Sequence, residues 1–92
     1  MQISMNYDMF IEKEMDNVDM VKNLSQAKKD NQYIIKEIKT NDSELENFLF
    51  TLGCYKGEVV TLISKLAGNF VINIKDARYS IDEDLAKAII LE

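Results

Sequence analysis

From Glu58 onward the chain is cut into short β-prone runs by closely spaced turn signals, and that spacing constrains the fold more than any other feature. Glu58 to Lys65 reads as one strand, and Ala67-Gly68-Asn69 as a hairpin turn. Phe70 to Lys75 follows as a strand with clean alternation: Phe70, Ile72 and Ile74 face one way, Val71, Asn73 and Lys75 the other. Asp76-Ala77 turns the chain into a short strand over Arg78 to Ile81. Asp82-Glu83-Asp84 opens a short helical turn, and Ala88 to Leu91 closes as a last strand. Upstream, the Asp30-Asn31 turn signal precedes a strand over Tyr33 to Lys39, rich in β-branched and aromatic residues. Strands this short leave unpaired edges in an open sheet, so the pattern predicts an all-β fold, a closed or nearly closed five-stranded barrel.

One helix interrupts the first two strands. Ser43 and Glu46 have capping-box spacing, and Asp42, Glu44 and Glu46 place negative charge at the positive end of the helix dipole. Leu45, Phe48, Leu49 and Leu52 recur at i, i+3, i+4 and i+7, one apolar stripe expected to face the barrel. Gly53 follows, where a left-handed residue ends a helix without strain. Cys54-Tyr55-Lys56-Gly57 then reads as a tight turn.

The first 23 residues are different in kind. They hold all five methionines, Met1, Met5, Met9, Met15 and Met20. Five acids against two bases give them a balance of -3 out of the chain's -5. Tyr7, Phe10, Ile11, Val18 and Val21 fall on one side of a helical wheel, with Met15 at its edge. Residues 1–23 are therefore expected to be an extension to a domain over 24–92. As a helix the extension docks on the barrel or on a second copy; an isolated helix of that length is marginal in water and otherwise frays.

Charge and composition narrow the function. A net charge of -5 and a pI near 4.7 oppose nucleic-acid binding, which needs a basic face to displace counterions, and oppose docking on anionic lipid. No apolar run approaches the ~20 residues that span a bilayer, and no basic segment precedes an apolar stretch at the N-terminus. A single cysteine forms no internal disulfide and suits a reducing compartment. The expectation is a soluble cytoplasmic protein.

Chemistry has little to work with. The chain has no histidine, the commonest general base, and Cys54 has no base to activate it, so it is expected to be a small core plug. The acid run Asp82, Glu83 and Asp84 reads as a solvated helix start, because adjacent carboxylates do not converge on a cation. Met5 and Met9 have i, i+4 spacing, which reads as apolar packing in preference to soft-metal ligation. No catalytic, cofactor or metal residue is predicted.

Several ordered segments resemble the FeoA family of the ferrous iron transport system. The entry Leu24-Ser25-Gln26-Ala27-Lys28 is followed by Tyr33-Ile34-Ile35-Lys36-Glu37-Ile38. Leu49-Phe50-Thr51-Leu52-Gly53 matches the family's helix end, and Lys56-Gly57-Glu58-Val59-Val60 its Pro-Gly and Val-rich strand, with Lys56 in place of the proline. Tyr79-Ser80-Ile81 and Ala86-Lys87-Ala88-Ile89-Ile90-Leu91 match the closing strands. Phe48 stands where the family usually carries a basic residue.

The resemblance implies a small SH3-like barrel, with one helix between the first two strands and a helical turn before the last. It implies a regulatory binding module, not an enzyme, acting on the cytoplasmic GTPase region of the ferrous iron permease FeoB. The same barrel resembles the C-terminal module of iron-dependent repressors, which keeps open a stand-alone sensor domain; a self-associating module, joined through the extension, is also open. A thin helix on a small barrel does not bury both Phe48 and Phe50. The ring left out, with Tyr55 and Lys56, makes an exposed aromatic patch, read either as simple packing or as a partner contact.

Overall fold

The computed structural model describes residues 21–92, and residues 1–20, with the predicted N-terminal helix, lie outside the described residues. Five strands carry the fold: β1 (Gln32–Ile38), β2 (Val59–Leu66), β3 (Asn69–Ile74), β4 (Ala77–Asp82) and β5 (Ile89–Leu91). Helix α1 (Ser43–Leu52) joins β1 to β2, and helix α2 (Glu83–Ala88) joins β4 to β5. A 3-10 turn over Leu24–Gln26 precedes β1.

All pairings are antiparallel, in the order β4-β3-β2-β1-β5. Two hairpins set the register of β2, β3 and β4. Ala67 and Gly68 both have positive φ, as do Lys75 and Asp76, which is the geometry of two-residue I′ turns matched to the twist of the flanking strands. Strand β1 changes partner along its length. Gln32 to Ile34 pair with Thr61 to Val59 of β2, and Ile35 to Ile38 pair with β5 across a bulge at Lys36.

The five expected strands form one sheet, which strand pairing does not close among the described residues. The ladder ends at β4 on one side and β5 on the other, with no β4–β5 pairing among the described residues. Helix α2 occupies the seam instead. It contacts β3, β4, β5, α1 and the 3-10 turn, and it buries Ala86 and Ala88. Small side chains let its backbone approach the core closely. Asp82 caps it by accepting from the Leu85 amide at 2.9 Å, so the acid run is the helix start that the sequence suggests.

Every strand delivers residues to one core. Ile35, Val60, Leu62, Phe70, Ile72, Ile74, Ile81, Ile89 and Leu91 are buried together with Leu24, Leu49 and Cys54. The alternation predicted for β3 holds, with Phe70, Ile72 and Ile74 inside. No polar or charged residue is buried among the described residues, so the core carries no desolvated charge. None of the described helices is long and apolar enough to cross a membrane.

Candidate functional site

The site begins with how α1 starts and stops. The N-cap is Asp42, not Ser43: the Asp42 carboxylate accepts from the Glu44 and Leu45 amides at 3.0 and 3.2 Å. An ionised acceptor at the positive end of the helix dipole outcompetes a neutral hydroxyl one residue later. At the other end Gly53 has φ 99 and its amide donates to the Phe50 carbonyl at 3.0 Å. The Cys54 amide donates to Leu49 at 3.1 Å, which completes a Schellman motif. That motif drives Cys54 into the core. Burial pushes its thiol up to about 11, so it is protonated at neutral pH and inert as a nucleophile.

The stripe expected on α1 is only partly buried. Leu49 is fully buried, and Leu45 and Leu52 are half-buried against the core. Phe48, predicted to face the barrel, is 47% exposed. Leu49 takes the centre of the contact, and Phe48, one position and about 100° round the helix, lies at its rim. Phe50, predicted to lie off the stripe, is half-buried against Tyr55.

After Cys54 the chain turns back at once. The Glu58 amide donates to the Tyr55 carbonyl at 3.0 Å, with Gly57 at φ 90. Positive φ at the third residue of the turn is the type II pattern, and Lys56 holds the position that favours proline. This turn folds Tyr55 back over the end of α1. Its ring stacks on Phe50 with centroids 5.5 Å apart and planes 13° from parallel. Lys75 Nζ lies 5.6 Å from the Tyr55 centroid and 3.4 Å from the Glu58 carboxylate.

The structure therefore joins Phe50 and Tyr55 into one patch, with the exposed Lys56 next to it along the turn. It leaves Phe48 on another face of the helix, because two residues along a helix are about 200° apart. Lys75 and Glu58 were not among the predicted contacts. They reach the patch through the β3–β4 turn and the β2–β3 register, neither of which has a local signature at those residues. The patch offers an aromatic face rimmed by ammonium groups, a surface suited to recognition. Among the described residues no cluster of three or more carboxylates or thiols converges on a metal position.

A model of the FeoA domain matches residues 22–92. The chain belongs to the FeoA family. Solved FeoA structures share the fold. An iron uptake regulatory FeoA protein aligns with a TM-score of 0.67 at 19% identity, over 75% of this chain and 90% of that one. FeoA of Stenotrophomonas maltophilia, solved with zinc and described as an SH3 domain protein, aligns at 0.70 and 17% identity, over 76% and 88%. A manganese-dependent transcriptional repressor aligns at 0.70 and 15% identity; the match covers 75% of this chain and only 39% of the repressor. At these identities the likeness shows the SH3-like fold. No curated protein matches the chain in sequence.

Proposed function

We propose that this FeoA chain is a regulatory protein-binding module of ferrous iron transport, working in the cytoplasm on the GTPase region of the permease FeoB. The observation that carries the reading is the family match over residues 22–92. The stacked patch at the end of α1 supports it, because Phe50, Tyr55 and Lys56 offer the aromatic and cationic side chains that anchor protein interfaces. Phe48, exposed on the opposite side of α1, is a separate candidate contact. A binding role, not a catalytic one, is supported by the absence of histidine from the sequence and the burial of the lone thiol.

Titration of the full chain against the purified cytoplasmic domain of the permease tests this, with GTP turnover as a second readout. A stable complex buries roughly 1,000–1,600 Å². Tyr55→Ala should weaken binding at least about tenfold, as loss of an interface anchor does. Absence of both binding and any change in turnover would sink the proposal. Full binding by Tyr55→Ala would move the contact elsewhere on the surface.

The likeness to the manganese-dependent repressor favours one second reading, a stand-alone sensor domain that binds a divalent metal. Isothermal titration with ferrous or manganous ion separates the two. Heat that saturates below millimolar metal favours the sensor, and its absence leaves the regulatory module. Self-association through residues 1–23 predicts a sedimentation mass above that of one chain.

A further inference from the structure

A second exposed apolar surface lies away from the aromatic patch. Ile34 of β1 and Val59 of β2 are direct cross-strand partners on the outer side of the sheet, and they are 44% and 45% exposed. Their neighbours Ile35 and Val60 point into the core, so alternation forces this pair outward. Gln32, Tyr33 and Glu92 complete the walls of a groove of about 390 Å³ around them. The family match says nothing of an occupant for this groove.

The backbone shows what can reach it. Asn23 pairs antiparallel with Ile90, and the Leu91 amide donates to the Lys22 carbonyl at 2.8 Å. In that pairing the chain, followed back from Asn23 to Val21, runs beside Ile90 and Leu91 in the direction of Glu92. The Glu92 amide donates to the Ile34 carbonyl at 2.9 Å, and Glu92 lines the groove. Residues 1–20 therefore join the described domain beyond β5, about one strand spacing from Glu92 and two from Ile34. Their sequence holds Phe10, Ile11 and Val18 on one helical face, close enough along the chain to span that gap.

The geometry points to an intrachain dock: the apolar side of residues 7–18 seats on Ile34 and Val59. The tether makes this contact effective even when it is intrinsically weak, because a short linker holds its ends at millimolar effective concentration. This inference is independent of the permease reading.

Methyl NMR on the full chain tests it. Phe10→Asp together with Ile11→Asp should shift the Ile34 and Val59 methyl signals, while core Ile72 and the hairpin-tip Leu66 stay in place. Reciprocally, Ile34→Ser, an exposed position outside the core, should release the Ile11 and Val18 methyls to free-chain positions. Unmoved Ile34 and Val59 signals overturn the inference, as do Ile11 and Val18 signals already at free-chain positions in the unsubstituted protein. Shifts that vanish on dilution also overturn it, because they assign the groove to a second copy.

Discussion

The aromatic patch and the Ile34–Val59 groove expose apolar surface to a similar degree, since Tyr55 is 48% exposed and Ile34 44%. They are built in opposite ways. The patch stands on a bend of nine residues, Leu49 to Gly57, where a Schellman motif, a buried cysteine and a type II turn follow one another in sequence. Its rings are already engaged, Phe50 on Tyr55 and Tyr55 under Lys75. The groove stands on two strands that meet only through long-range pairing, and its apolar pair has no such partner among the described residues. A surface of local origin is held by local chemistry and can be altered piece by piece. A surface of non-local origin moves only when the sheet moves. If this contrast is right, substitutions in the bend change the Phe50 and Tyr55 ring signals and leave the Ile34 and Val59 methyls where they are.

The largest effect should come from the anchor of the bend. Leu49 is fully buried, whereas Leu52 is half-buried, so Leu49→Ala removes more packed side chain and leaves the larger cavity. Leu49→Ala should cost about 2–5 kcal/mol and Leu52→Ala less, read as the shift in urea midpoint at constant slope. Equal costs would show that the helix leans on its last turn and that the patch rests on something other than Leu49.

The plug beneath the patch gives the next effect. Burial raises the Cys54 thiol from 9.0 to about 11. Between these values the unfolded chain has released a proton that the folded chain still holds. Stability should therefore fall as pH rises from about 9 toward 11, by roughly 1.4 kcal/mol per pH unit, and level off above. Below pH 9 the thiol contributes no slope. Lysine and tyrosine titrate in the same range, so the measurement is the difference between this protein and Cys54→Ala in urea melts at each pH. Identical slopes would mean that the thiol reaches water and that the bend is looser than its hydrogen bonds indicate.

The same contrast explains what the sequence revealed. Helix α1, the left-handed Gly53, the Cys54 plug and the alternation of β3 each follow from residues within a few positions of one another, and each was legible. The cap was misread by one residue because Asp42 and Ser43 are both good caps, and only the donor geometry separates them. The exposure of Phe48 depends on how α1 is seated on the core, a relation between distant segments that a helical wheel does not contain. Lys75 over Tyr55, the change of partner along β1 and the filling of the seam by α2 are also non-local. The pairing of Ile34 with Val59 belongs with them: read as sequence, Ile34-Ile35 and Val59-Val60 each look like continuous apolar strand, and only the register shows which member faces out.

The smallest effect has the opposite sign. Lys56 occupies the second position of the type II turn, and its amide makes no backbone hydrogen bond among the described residues. Proline fits that position with its φ already set, and it narrows the unfolded ensemble without removing a native bond. Lys56→Pro should stabilise the protein by about 0.4–1 kcal/mol, a rise in Tm of about 2–8 °C. It should also remove one charge from the proposed contact, so stability and permease binding should move in opposite directions. That split is informative, because a substitution acting only through the fold would move both together. A fall in Tm would show that the turn holds Tyr55 and Lys56 in a conformation closed to proline. The local construction of the patch would then need another explanation.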